Sequence, residues 1–194
     1  MNNLSKSFSD EIKDLEKRIN DELRKKQQSF RYKINKERVE FEREQIEKFK
    51  KMKLNVTRYL FESSILTIIV SPFIYFMLFP AIFLDLSAQC YQFFCFPVYR
   101  ITKVRRSEYV VLDRHHLKYL NIIERINCTY CGYFNGVVAF VREIASRTEQ
   151  YWCPIRHALK AKGLHSRQYD FISYGDPELY REKLKQLREV LQQL

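Results

Sequence analysis

The chain has 194 residues, a formal net charge of +11 and only four glycines. This length suits one ordinary globular domain, or a smaller domain with extended segments. Neither of the glycine-rich phosphate-binding motifs, GxGxxG or GxxxxGKS/T, occurs in the sequence, which disfavours a nucleotide-binding loop. The positive charge is compatible with nucleic acid or with an anionic membrane face, and the position of the basic residues distinguishes these two partners.

Residues 1–58 are predicted to form one long, charged, amphipathic helix, because neither proline nor glycine occurs before Pro72. The apolar residues recur every eleven positions in two rows, which are Phe8, Ile19, Phe30 and Phe41, and Ile12, Leu23 and Ile34. Such a repeat is close to a straight helix or a slight right-handed supercoil. Self-association through this stripe, as a coiled coil or helical sheath, is favoured because so long a helix has little else to cover it. Packing on the same chain and contact with a membrane surface are the alternatives.

Residues 59–100 are predicted to be the membrane segment. The stretch from Ser63 to Leu84 has no charged residue. As a helix it would reach roughly 33 Å, enough to cross a bilayer core of about 30 Å. After Asp85 the chain is again uncharged as far as Tyr99. A buried core helix is the alternative, but a small and otherwise charged protein has little room to hide so many apolar residues.

The basic residues flanking this segment bear on its topology. Five lie in the fifteen positions before Ser63, and five lie in the fifteen positions from Arg100 onward. The positive-inside rule orients a membrane span by the difference between these two counts, and here the difference is zero. We therefore predict that both flanks are cytoplasmic. We therefore expect a membrane-embedded hairpin or re-entrant form with a turn near Pro80 to Asp85; a single span followed by an interfacial helix is the alternative. The polar residues Asp85, Gln89 and Gln92 share one helical face, which should meet a partner subunit, a protein interior or the headgroups.

Residues 101–175 are predicted to form a small helical cytoplasmic module with a metal site. Cys128 and Cys131 form a CxxC motif, and Cys153 and His157 follow in the sequence CPIRH. Three thiolates and an imidazole suit a closed tetrahedral zinc site. The 21 residues between the two pairs would have to fold back to close it. A redox-active CxxC and inert buried cysteines are the alternatives.

Three further helices are expected in the C-terminal half. Asp113 is a candidate N-cap for a helix from Arg114 to Ile126, and an Asn-Gly turn at Asn135 precedes a helix from Gly136 to Trp152. Residues 176–194 begin with Asp-Pro-Glu, a typical helix start, and carry leucines at heptad spacing. This last amphipathic helix is predicted to be a second association helix.

The sequences NCTYCGYFNG and VREIASRTEQYWCPIRHA, within residues 109–158, resemble an uncharacterised family of small bacterial membrane proteins that have a YWCPIKHA-type segment. Arg156 stands where that pattern has lysine. The resemblance implies bacterial origin and membrane association but no activity. Since the N-terminus is charged and has no secretory signal, we expect the bacterial inner membrane, with the soluble parts facing the cytoplasm.

The sequence as a whole predicts a mainly α protein that acts as a non-enzymatic, oligomeric membrane scaffold or membrane-complex subunit with a metal-stabilised module. The expected partners are the lipid bilayer, further copies of the chain and other membrane proteins. A membrane-bound metalloprotein with redox or hydrolytic activity at the cysteine and histidine residues is the rival hypothesis. Nucleic acid is disfavoured, because the basic residues crowd the membrane flanks and residues 128–153 are nearly neutral.

Overall fold

The computed structural model describes residues 2–29, 32–35, 38–41 and 43–193. The predicted mainly helical fold is confirmed. The described residues form seven α-helices, which are α1 Asn2–Ser29, α2 Arg43–Lys51, α3 Val56–Glu62, α4 Ile65–Phe76, α5 Leu78–Tyr99, α6 Ile122–Trp152 and α7 Pro177–Gln192. They also form one antiparallel hairpin of β1 Tyr32–Asn35 and β2 Arg38–Phe41. The chain divides into two compact units, one of Met1–Ser71 with Leu112–Cys131 and one of Pro72–Val111 with Gly132–Leu194.

The first unit differs from the single helix predicted over residues 1–58. Helix α1 ends at Ser29, and the hairpin pairs Tyr32 with Phe41 and Ile34 with Val39. Aromatic and β-branched residues at alternate positions favour a strand, and here they interrupt the helix despite the absence of proline and glycine. Two members of the eleven-residue rows therefore lie in strands, and Phe30 lies outside the described residues.

The apolar stripe of α1 is exposed where the structure describes its side chains. Ile19 and Leu23 of the two rows are 60% and 51% exposed, and Leu15, four positions before Ile19 on the same side of the helix, is 56% exposed. One alternative was that this stripe packs against its own chain. The exposure of these three side chains does not support that alternative. The stripe remains available to a second copy of the chain or to a membrane.

Helices α4 and α5 follow each other with only Met77 between them, and the predicted turn near Pro80 to Asp85 is absent. A hairpin with its turn at these residues is therefore not formed. Pro80 lies in the first turn of α5, where its missing N–H group breaks no helical hydrogen bond. Together the two helices cover Ile65–Tyr99, which is long and apolar enough to cross a membrane by length and composition.

The second unit packs around one face of α5. The buried residues of α5 are spaced three or four apart and are Ala81, Asp85, Ala88, Gln92 and Phe96. Its core joins α5, the segment that follows α5, α6 and α7 through Ala88, Phe96, Ile101, Val104, Phe140, Ile144 and Leu191. Leu191 is fully buried, so in this chain α7 packs within its own unit, although we predicted an association helix.

The start of α6 differs from both helices predicted in this region. Residues Arg114–His116 form only a 3₁₀ turn without a side-chain cap from Asp113. The cap is instead Asn121, whose side-chain oxygen accepts from the Glu124 backbone N–H at 3.0 Å. The Glu124 carboxylate accepts in return from the Asn121 backbone N–H at 2.8 Å, which completes a reciprocal capping box.

Asn135 and Gly136 lie inside α6, so the turn that we predicted at these residues is not formed. A Cβ atom at Gly136 would come within 2.8 Å of both the Tyr109 carbonyl oxygen and the Val110 Cα atom. The glycine is needed because the backbone of residues 109–110 crosses the helix there, and the helix itself does not turn.

The predicted start of α7 is confirmed, since the Asp176 carboxylate accepts a hydrogen bond from the Leu179 backbone N–H at 3.0 Å.

Candidate functional site

A polar network centred on Asp85 is the most distinctive feature of the second unit. Asp85 is only 4% exposed, although it lies in the middle of an apolar helix. Its carboxylate accepts two parallel hydrogen bonds from Arg106, from Nε at 3.0 Å and from Nη2 at 2.7 Å. The Tyr133 hydroxyl and the Gln89 amide each donate to it at 2.9 Å. A buried carboxylate is tolerated when it is paired and hydrogen-bonded, and Asp85 meets both conditions.

Arg106 closes this network from the segment after α5. The hydrogen bond with Asp85 raises the pKa of the Arg106 guanidinium above its ordinary value, so Arg106 keeps its charge. The guanidinium also lies over the Tyr133 ring, 5.8 Å from its centroid. The network therefore ties α5, the returning segment and α6 together at one point.

Gln92 continues the same polar face about two turns further along α5 than Asp85. Its side-chain oxygen accepts from the Val104 backbone N–H at 3.0 Å. Its amide nitrogen lies 3.5 Å from the Val104 carbonyl oxygen. Of the three surroundings expected for the stripe, the structure gives Asp85 and Gln92 a protein interior, and Gln89 is half-buried.

A second polar cluster surrounds Glu143 on α6. Its carboxylate accepts from Arg147 Nε and Arg167 Nη2, each at 2.8 Å. The three side chains are 20%, 14% and 19% exposed, so the cluster is mostly buried. Burial raises the pKa of Glu143, but the hydrogen bonds from Arg147 and Arg167 outweigh it and leave the pKa below its ordinary value. Arg147 also donates to the Thr102 carbonyl oxygen at 2.6 Å, which fixes the segment after α5 to α6.

One turn and a half further along α6, Glu149 contacts His165. The distance from the Glu149 carboxylate to His165 Nε2 is 2.7 Å. The other ring nitrogen, Nδ1, is buried without a hydrogen-bond partner in the described part of the chain. In a catalytic glutamate–histidine dyad the imidazole is hydrogen-bonded to a nucleophile. Within the described residues no hydrogen bond joins His165 to a nucleophilic side chain.

The four predicted zinc ligands are not brought together. Cys128 and Cys131 lie within α6, and Cys153 directly follows its last residue. The residues between the two pairs continue the helix over roughly 30 Å and do not fold back. Within the described residues no group of three or more His, Cys, Asp or Glu side chains is placed to hold a metal ion. A zinc ion bound by Cys128, Cys131, Cys153 and His157 of one chain stays a prediction without structural support, which elemental analysis of the purified protein tests.

The sequence indicated which residues of α5 belong to the Asp85 network, but it did not indicate that Arg106 completes the network. The spacing of Asp85, Gln89 and Gln92 identified the polar face of α5, since positions i, i+4 and i+7 share a side of a helix. Arg106 was counted only as one of the basic flanking residues. Its pairing with Asp85 joins positions 21 residues apart, and such a contact has no local signal in the sequence.

The fold and this site define a mainly helical protein in which a long apolar helix carries a covered polar face. No family model, no curated protein and no solved structure matches the chain. The resemblance to the bacterial membrane family therefore stays an expectation.

Proposed function

We propose that this protein is a non-enzymatic membrane scaffold whose apolar helix, α4 with α5, embeds it in a bilayer. The observation that carries the proposal is the division of α5 into two faces. One face is apolar and exposed, with Phe79, Phe83, Leu86, Phe93, Phe94 and Val98 each at least 60% exposed. The opposite face carries Asp85 and Gln92, and residues of the same chain cover it. Polar groups at membrane depth face protein and apolar groups face lipid, so a bilayer is the natural partner of the exposed face.

A contact in the first unit favours entry and exit of the apolar helix on one face of the membrane. The rings of Phe49, before the helix, and Tyr119, after it, have centroids 5.4 Å apart. Both residues must then lie on the same side of the bilayer. A single crossing between them would need a second crossing by residues 100–118, which carry many charges and would be costly in hydrocarbon. The equal basic flanks agree with this monotopic arrangement.

The location in a bacterial inner membrane, with both flanks in the cytoplasm, is a further part of this proposal. It rests on the resemblance to the bacterial membrane family and on the equal numbers of basic residues in the two flanks.

Self-association through α1 supports the scaffold role and can be tested directly. Changing Ile19 and Leu23 to glutamate should reduce the mass of the detergent-solubilised assembly, because each buried apolar side chain contributes roughly 1.5–3 kcal/mol. Light scattering or native mass spectrometry measures the mass. Asn20→Glu with Arg24→Gln is the matched control, since it makes the same change in net charge at exposed polar positions of the same helix. An unchanged mass for Ile19→Glu with Leu23→Glu would remove α1 from the interface.

A further inference from the structure

Exposed cations lie directly beside the C-terminal half of α5. Arg100, Lys103 and Arg105 fall within six consecutive positions, and all three are exposed. The two apolar residues between them, Ile101 and Val104, are buried in the core of the second unit and hold the segment against it. The basic side chains are therefore presented outward on a fixed backbone.

Lys103 reaches the apolar face of α5. Its ammonium nitrogen lies 4.6 Å from the centroid of the Phe93 ring. An open groove of about 400 Å³ is lined here by Gln89, Cys90, Gln92, Phe93, Phe94 and Lys103. Phe93 and Phe94 are 60% and 65% exposed, so the groove joins a cationic edge to an apolar floor.

The positive charge of this patch is largely uncompensated. Among the described residues Glu108 is the one carboxylate within 4 Å of these three cations, at 3.9 Å from Arg105. Asp85 is nearby in the fold, but its oxygens are occupied by Arg106, Gln89 and Tyr133. Arg100 and Lys103 thus have no ion-pair partner in the part of the chain that the structure describes.

We propose that this groove binds the headgroup of an anionic phospholipid, with the phosphodiester at Lys103 and Arg105 and an acyl chain along Phe93 and Phe94. The inference rests on the proposed membrane role of α5. A cation beside an exposed apolar surface fits a ligand that carries a phosphate and a hydrocarbon chain in one molecule. Free phosphate would use the cations and leave the aromatic floor uncovered.

The test is lipid binding to the full-length protein in a neutral detergent, followed by native mass spectrometry. Phosphatidylglycerol and phosphatidylcholine with the same acyl chains are the two probes. Wild-type protein should retain phosphatidylglycerol preferentially, and Lys103→Gln and Arg105→Gln should each weaken that binding about fivefold. The double variant Lys160→Gln with Lys162→Gln, which changes exposed lysines in a distant part of the sequence, should bind as the wild type does.

Three results would overturn the proposal: equal retention of both lipids, equal losses in the patch and control variants, or full displacement of phosphatidylglycerol by millimolar inorganic phosphate. The last result would identify a free-phosphate site. Resistance of the native protein to alkaline extraction from membranes tests the anchor separately. A protein that stays in membranes but shows no lipid preference keeps the proposed function and loses only this site.

Discussion

Replacing Arg106 by leucine should lower the melting temperature of the detergent-solubilised protein by roughly 6–12 °C, which corresponds to a loss of about 3 kcal/mol. The substitution leaves the Asp85 carboxylate buried with hydrogen bonds from Tyr133 and Gln89 but without its cationic partner. An uncompensated charge in a covered site is strongly destabilising, and this one lies where three segments of the second unit meet. Thermal unfolding followed by the fluorescence of Trp152 measures the effect.

Two further variants separate the ion pair from a general effect of charge. Arg105→Leu removes a neighbouring cation that is 82% exposed, and it should change the free energy of unfolding by less than about 0.5 kcal/mol. Asp85→Leu combined with Arg106→Leu removes both partners and should recover most of the lost stability, since a buried ion pair can often be replaced by apolar residues. A melting temperature unchanged by Arg106→Leu would show that this pair does not hold the unit together.

Changing Glu143 to glutamine should lower the free energy of unfolding at pH 7 by roughly 2–3 kcal/mol, because Arg147 and Arg167 lose a charged acceptor in a mostly buried cluster. The effect should depend on pH. The folded-state pKa of Glu143 lies below its ordinary value of 4.5, so the cluster's contribution is fully present above that pH. It is lost as the pH falls through the lowered folded-state pKa.

The measurement is the difference in unfolding free energy between wild type and Glu143→Gln, from denaturant titrations between pH 3 and pH 7. The difference should be constant from pH 7 to about 5 and then shrink. Glu189→Gln, on the exposed side of α7, is the control and should show no such difference. A difference that stays constant down to the most acidic pH would assign the effect to lost packing and not to the charge of Glu143.

Local signals in the sequence were reliable where one feature acts alone. The Asp-Pro-Glu sequence at residue 176 predicted the start of α7, and the Asp176 side chain caps that helix. The uncharged stretch from Ser63 predicted a long apolar helix, and α4 with α5 forms it. In these cases a cap or a run of apolar residues decides the structure without help from distant residues.

Predictions failed where the same residues were compatible with two different local structures. Asp113 and Asn121 are both good N-cap residues, and only Asn121 has a glutamate three positions later to complete the capping box. Gly136 follows an asparagine and so suggests a turn, but the close approach of the Tyr109 backbone requires a glycine at that position. An isolated glycine inside an otherwise helical pattern was the signal that could have indicated packing.

The features that the sequence did not predict depend on contacts between residues far apart in the chain. The pairing of Asp85 with Arg106 and of Glu143 with Arg167 depends on the path of the chain between them. The zinc prediction also depends on a nonlocal contact, because it required residues 132–152 to fold back, and in the structure these residues continue α6. Spacing on its own cannot show whether an intervening segment turns.

The side of the membrane on which each flank of the apolar helix lies is the most direct test of the monotopic scaffold. Asn55 and Ser107 are exposed positions before and after the helix. Each would be changed singly to cysteine in a chain whose five native cysteines are replaced, with Phe73→Cys in α4 as the buried-in-lipid control. A membrane-impermeant maleimide should label neither flank from outside intact cells and both flanks in inverted vesicles, and it should not label position 73 from either side. Labelling of one flank from outside and the other from inside would show that the helix crosses the bilayer and would contradict the account.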